Sequence, residues 1–157
     1  VTFGDPFSQH LAQIVGAHAP KDIVLHRNKT LVCMEGPAFS TRAESNLYRS
    51  IGGDIINMSV LPEAKLAREA EIAYQMVCMS TDYDSWREEH EAVTADVIIG
   101  HLHANADNAR RIIAGILPHM GGPNPLKGSV KLGVITAPEK RSPETVKKLN
   151  QILPGYF

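Results

Sequence analysis

The sequence has no surplus of either charge: 16 Lys and Arg stand against 17 Asp and Glu, for a formal net charge of −1. It therefore lacks the electrostatic footprint of a nucleic-acid or anionic-membrane partner, and neither is expected. No apolar run approaches the length that spans a bilayer. Cysteine is scarce too, and Cys33 and Cys78 both lie inside apolar, strand-like runs. Without a secretory segment, such a pair reads as two small buried hydrophobes in a reducing compartment. A Cys/His cluster is also lacking. His101 and His103, two positions apart on a helix, point to nearly opposite faces and cannot chelate together, so no metal is expected. ATP chemistry is disfavoured because there is no Gly-rich phosphate loop with its Lys. Ser8, Ser40, Ser59 and Ser85 lack the glycine-flanked elbow of a hydrolase nucleophile.

What is present is a chain of 157 residues, 43% of them hydrophobic, enough to bury a core as one compact piece. Periodicity and punctuation predict alternating elements. Pro6 to His18 reads as a helix with Phe7, Leu11, Ile14 and Val15 on one face, and Thr30 to Met34 as a short strand. Thr41 to Ile51 is a helix stopped by Gly52-Gly53, followed by a strand over Asp54 to Met58. Pro62 opens a helix running to about Glu71, and the apolar run Ile72 to Met79 reads as a buried strand. A long helix is predicted from Thr94 to about Leu117, then a strand over Ser129 to Ile135, and a last short helix opened by Ser142-Pro143-Glu144. This alternation, with strands apolar throughout, argues an α/β fold whose sheet is covered by helices on both faces.

The stretch Ser80-Thr81-Asp82-Tyr83-Asp84-Ser85-Trp86 places two carboxylates one residue apart where the apolar run opens. An extended backbone through Asp82 and Asp84 sends both side chains to one face, where they can hold a ligand rich in N–H donors. Alternatively, the pair forms an Asx-type turn in which the acids cap backbone amides. Upstream lie Met34-Glu35-Gly36-Pro37-Ala38-Phe39-Ser40-Thr41-Arg42-Ala43-Glu44 and Gly53-Asp54-Ile55-Ile56-Asn57-Met58-Ser59-Val60-Leu61-Pro62-Glu63. Read from the residues alone, Phe39 is a loop anchor or a stacking ring, Met58 core filler, and Ser59 a helix cap.

Together these three blocks resemble the methylthioadenosine phosphorylases, within the trimeric purine nucleoside phosphorylases. In that family a Gly-Pro-x-Phe-Ser loop, an Asn-Met-Thr/Ser turn before Pro-Glu, and Thr-Asp-Tyr-Asp recur in this order. The resemblance runs from about Asp5 to about Leu117 and fits only loosely beyond. It implies a mixed β-sheet flanked by helices, and phosphorolysis of the N-glycosidic bond of methylthioadenosine with inorganic phosphate as co-substrate and no cofactor. It assigns Asp82 to purine N7 and Asp84 to the 6-amino group, as the catalytic pair. Phe39 stacks on the base. Ser40 with Asp82 favours 6-aminopurines, because relatives that handle 6-oxopurines carry Glu and Asn at those positions. Met58 lies under the ribose, with Ile56, Asn57 and Thr81 also counted as substrate contacts. Ser59, in place of the commoner Thr, touches phosphate, and Ala95, Ile98 and Ile99 wall the 5′-substituent pocket.

The first residues, Val1-Thr2-Phe3, run straight into Gly4-Asp5-Pro6. They read as a start in mid-domain, so residues 1–157 are expected to form the C-terminal portion of a single nucleoside phosphorylase domain. The missing N-terminal half would hold the glycine-rich and Arg/His phosphate-binding elements. The resemblance further implies a homotrimer in the cytoplasm, with the nucleus as a second compartment. Two other readings stay open: an inactive scaffold or oligomerisation chain that keeps only the purine pocket, and a phosphorylase or nucleosidase of different substrate preference.

Overall fold

The computed structural model describes residues 1–87 and 95–157, with side chains from residue 99 onward in the second stretch. Helix α1, Gln9–His18, begins after Ser8, whose hydroxyl accepts from the Leu11 amide at 3.3 Å. This cap sets the start three residues beyond Pro6, because a side chain that satisfies an orphan amide fixes the first turn. The core of the fold is a βαβ unit. Strand β1, Leu31–Cys33, pairs in parallel with β2, Ile55–Asn57, in the register Leu31 to Ile55, Val32 to Ile56 and Cys33 to Asn57. Parallel strands need a crossover, which is supplied here by α2, Arg42–Ser50.

Helix α2 starts on a reciprocal cap. Thr41 Oγ1 accepts from the Glu44 amide, and the Glu44 carboxylate accepts from the Thr41 amide at 2.7 Å. These bonds from the Thr41 amide and hydroxyl hold the Glu44 carboxyl below its ordinary value. The chain returns to β2 through Gly52, at φ +87°, and Gly53, whose amide donates to the Tyr48 carbonyl at 2.8 Å. A Cβ on Gly53 would sit 2.8 Å from both that carbonyl oxygen and Val32 Cγ2, so only glycine allows the helix end to lie against β1.

Helix α3, Val60–Glu69, has an extended residue, Leu61, in its first turn, since a proline at 62 disfavours helical geometry in the residue before it. Regular turns therefore begin at Pro62. The long helix α4, Ala95–Ile116, lies against α1, and Gly115 permits the contact: a Cβ there would be 2.6 Å from the His18 carbonyl oxygen. The imidazoles of His18 and His119 stack at 3.5 Å beside it.

Two expected strands are not formed. Ile72 to Met79 carries no ladder among the described residues, whose sheet consists of β1 and β2. It is held instead by the Ser8 amide on the Tyr74 carbonyl at 2.7 Å, by Phe7 stacked on Tyr74, and by the Tyr74 hydroxyl on Glu63 at 2.8 Å. Burial and the Glu63 carboxylate push the Tyr74 phenol up to about 12. The second, Ser129 to Ile135, is a turn with a short 3₁₀ segment at Lys131–Gly133. Its backbone donors are used elsewhere: Val130 N donates to the Glu71 carboxylate at 2.9 Å, as Gly128 N does just upstream, and the amides of Ser129, Lys131, Gly133 and Val134 donate to carbonyls three residues back.

Glu71 is 5% exposed and sits at φ +55°, immediately after α3. Its carboxylate also accepts from the Tyr156 hydroxyl at 2.6 Å, and its carbonyl accepts from Asn124 Nδ2 at 2.7 Å, so one residue fastens the C-terminal segment to the rest. That segment ends with α5, Pro143–Leu149, capped by Ser142 with Pro143 in its first position. Burial raises the Glu71 carboxyl, but the Tyr156 hydroxyl, the two amides and Lys131 outweigh it and hold it below its ordinary value. A depressed carboxylate contributes stability that is present above its unfolded value and lost as pH falls through the folded one. Thermal unfolding should therefore lose part of its stability below about pH 4.5. Glu71→Gln should lower the melting temperature at neutral pH and flatten that acid limb, since an amide presents one acceptor where the site needs two. Thr41→Ala should cost about 1 kcal/mol, read from the denaturant midpoint.

Candidate functional site

The first block leaves the C-terminal end of β1 and the second leaves the C-terminal end of β2. Parallel pairing thus sets them side by side, and Met34 N continues the ladder by donating to the Asn57 carbonyl at 3.0 Å. Gly36, at φ +78°, has no side chain where Met58 Cε lies, so the Gly-Pro turn and the Met58 thioether share one space. Asn57 secures the second block: its Oδ1 accepts from Ser59 N and Val60 N at 2.7 Å each, and from Ser59 Oγ at 3.3 Å. Ser59 occupies the cap position of α3 yet makes no cap bond with its side chain. Asn57 does that work from two residues upstream, leaving Ser59 exposed at the helix start.

The third block joins the first. Ser85 Oγ donates to the Ser40 carbonyl at 2.8 Å, and the Arg49 guanidinium, from the last turn of α2, lies 3.7 Å from the centroid of the Trp86 ring. The Tyr83 ring meets Trp86 edge-on at 6.0 Å, and Arg87 lies over Tyr83 at 4.2 Å. From α4, Asn105 Nδ2 donates to the Ser80 carbonyl at 3.0 Å, so the long helix fixes the entry to the acidic stretch. Three segments far apart in sequence thus converge on one side of the βαβ unit.

The acid pair is a turn, not an extended run. Asp84 stands at φ +57° and opens a 3₁₀ turn, Asp84–Trp86, while its amide donates to Asp82 Oδ1 at 2.8 Å. Thr81 Oγ1 donates to Asp82 Oδ2 at 2.9 Å. Same-face projection by strand geometry is therefore replaced by the Asx arrangement: an aspartate that can bond the amide two residues on makes a local bond that a strand without a neighbour cannot match. Asp82 remains exposed and Asp84 half-buried.

The remaining expected contacts fall as follows. Phe39 is 78% exposed, whereas Ser40 is 6% exposed and its hydroxyl donates to Met34 Sδ at 3.4 Å. Met58 is 37% exposed, Ile56 is half-buried opposite Val32, and Thr81 is half-buried. Ile99 is 50% exposed on α4, and the side chains of Ala95 and Ile98 lie outside the described residues. The face is open: cavities of about 210 Å³, between Val134 and α5, and about 80 Å³, between α1 and the end of α4, both lie away from it. Burial pushes the Cys78 thiol up, in keeping with a packed rather than a reactive sulfur. Arg49 and Met34 were not among the expected site residues. Trp86 stood in the quoted motif, but no periodicity could announce that an arginine from α2 covers it.

Comparison with known proteins fits this arrangement. The sequence model of the phosphorylase superfamily matches residues 3–118, which include all three blocks. The S-methyl-5′-thioadenosine phosphorylase of Aspergillus fumigatus is 53% identical, aligned over 100% of this chain and 49% of that protein. Its counterpart in Tuber melanosporum is 50% identical over 100% of this chain and 55% of that protein. The chain therefore spans about half the length of these curated relatives. A crystal structure of a methylthioadenosine phosphorylase from an Antarctic soil metagenomic library superimposes with a TM-score of 0.87 at 40% identity, covering 98% of this chain and 56% of that one. The Schistosoma mansoni methylthioadenosine phosphorylase in complex with adenine superimposes with a TM-score of 0.66 at 28% identity, over 78% of this chain and 49% of that one. With a shared α/β fold and a family match over most of its length, the chain belongs to the phosphorylase superfamily.

Proposed function

We propose that this chain carries the purine-reading part of an enzyme that cleaves methylthioadenosine with inorganic phosphate, releasing adenine and 5-methylthioribose 1-phosphate. The observation that carries the reading is the convergence of the three blocks, tied by the Ser85 hydroxyl on the Ser40 carbonyl and by Met58 against Gly36. In this reaction a phosphate oxygen forms a bond to the anomeric carbon as the bond to purine N9 breaks, and electron density accumulates on the departing base. A carboxyl group at N7 neutralises that density by donating a proton. Asp82 takes this role and Asp84 accepts from the 6-amino group. Each carboxylate oxygen has two acceptor sites, so the bonds from Thr81 and Asp84 N leave Asp82 with capacity for a ligand.

Phe39, exposed at the loop crest, offers a face for the base. Met58, with Ile56 and Asn57 behind it, lies under the ribose, and Thr81 borders the base. Ser59, free of the helix cap, offers its hydroxyl to phosphate, and Ala95, Ile98 and Ile99 wall the 5′-methylthio group. No cofactor takes part. The family's glycine-rich and Arg/His phosphate elements have no counterpart in residues 1–157, so the remaining phosphate contacts come from an N-terminal half outside them. The working assembly is a homotrimer in the cytoplasm and nucleus. Coverage by further polypeptide is supported by the apolar side chains left open on α4, among them Leu102, 52% exposed, and Ile113, 51% exposed.

The experiment is adenine release from methylthioadenosine, with and without phosphate, by the enzyme complete with its N-terminal half. Phosphate-dependent release is expected. Equal release without phosphate identifies a nucleosidase, and none at all identifies a scaffold. Asp82→Asn should slow turnover of methylthioadenosine by about 100-fold or more, mainly in kcat, because an amide cannot pass the proton. Joined with Ser40→Glu, it should raise activity on inosine relative to methylthioadenosine, as the site then matches a 6-oxopurine. Unchanged methylthioadenosine turnover by Asp82→Asn would reduce Asp82 to a turn acid.

A further inference from the structure

Between the acidic turn and helix α2 there are two fasteners: Ser85, Arg49 and Trp86 stand outside the set of residues proposed to touch substrate, and Ser40 enters through its backbone carbonyl rather than its side chain. One is the Ser85 hydroxyl on the Ser40 carbonyl, bridging 45 positions of sequence at 2.8 Å. The other is the Arg49 guanidinium stacked on Trp86 at 3.7 Å. Ser40 directly follows Phe39 and directly precedes Thr41, the cap of α2, while Ser85 directly follows Asp84. A rigid helix end is thereby wired to the backbone that carries the aromatic ring and, through one hydroxyl, to the backbone that carries the acids.

We propose that Ser85 is a positioning residue: its bond to the Ser40 carbonyl sets the separation between the Asp82–Asp84 turn and the Phe39 ring, with the Arg49–Trp86 stack as the second fastener of the same joint. The inference rests on the purine reading of the site. It follows from the construction of the turn. Among the described residues, the single 3₁₀ turn that Asp84 opens at φ +57° carries no ladder, and it is Ser85 and Trp86 that tie it to the start and the last turn of α2. The acid must lie within hydrogen-bond reach of N7 while the ring lies on the base, and a displacement of about 1 Å is enough to depress the chemical step strongly. The peptide C=O of Ser40 is a suitable anchor because it is the last carbonyl before the capping box and cannot move without α2 moving.

Trp86 is the only tryptophan in the 157 residues, so its fluorescence reports the joint directly. Ser85→Ala should lower kcat for methylthioadenosine about tenfold while KM changes much less, and should shift the Trp86 emission. Ser85→Thr keeps the hydroxyl and should restore both. Arg49→Ala should give the same emission shift, and the double variant should lose less than the product of the single losses, since both act on one joint. A wild-type kcat and emission in Ser85→Ala, or a loss that Ser85→Thr does not recover, overturns the proposal. If the enzyme complete with its N-terminal half releases no adenine, the purine reading fails, and the joint is then decided by emission alone: a shared shift in Ser85→Ala and Arg49→Ala, recovered in Ser85→Thr, upholds it, and its absence refutes it.

Discussion

Parallel pairing of Leu31–Cys33 with Ile55–Asn57 is the constraint on which the site depends. Parallel strands end at the same edge of a sheet, so the loops that leave their carboxyl ends emerge side by side. The Gly36-to-Thr41 loop and the Met58–Ser59 turn both leave that edge. A one-residue slip in register would send Val32 and Ile56 to opposite faces and carry Met58 away from the space that Gly36 leaves open. Three residues per strand are few to hold a register. It is reinforced at one end by Asp54, whose carboxylate accepts from Thr30 N at 2.8 Å and pairs with Lys29 at 2.9 Å, and at the other by Met34 N on the Asn57 carbonyl.

Around this unit, polar side chains rather than apolar bulk do much of the fastening. Among the described residues the most fully buried side chains are small, Ser45 and Ala64 being each 1% exposed, while Ile51, Leu66 and Leu132 stay largely open. Groups that satisfy several backbone donors at once carry much of this fastening, and Glu71 and Asn57 each do so. A carboxylate that loses its donors inside such a region costs more than a lost apolar contact, because the desolvated charge remains.

The sequence made most helix limits legible because caps and breakers are local. Thr41 with Glu44, Ser142 with Pro143, and Gly52-Gly53 act within a turn of where they stand, and the structure keeps each one. The α/β class was legible for the same reason. Strand identity was not local. Ile72 to Met79 has the composition of a buried strand, but a strand exists only with a neighbour, and no window of sequence contains the neighbour. Ser129 to Ile135 failed differently, since a carboxylate 59 positions from Val130 takes the amides that a ladder would use. Of the site, the three blocks were legible as motifs, whereas the Arg49–Trp86 and Ser85–Ser40 contacts that join them depend on where α2 ends in space.

The turn at Asp82–Asp84 has a structural role that is compatible with the chemical role proposed for it. A non-glycine residue in the left-handed region is uncommon, and aspartate is among the few that enter it readily. Asp84 adopts it while its amide is held by Asp82 Oδ1, so the side chain assigned to the base also maintains the backbone geometry of its neighbour. These duties are compatible because they use different atoms. An Oδ1 that accepts from Asp84 N does so whether the group is a carboxylate or an acid protonated on Oδ2, so the turn persists through a proton transfer made by the other oxygen. An asparagine at 82 would preserve the Oδ1 bond and hence the turn, but it would place an NH₂ where the transferable proton must be. Structural integrity and the proposed proton transfer can therefore be separated at this one position, and a variant that folds but turns over slowly is the physical signature of an aspartate that serves both.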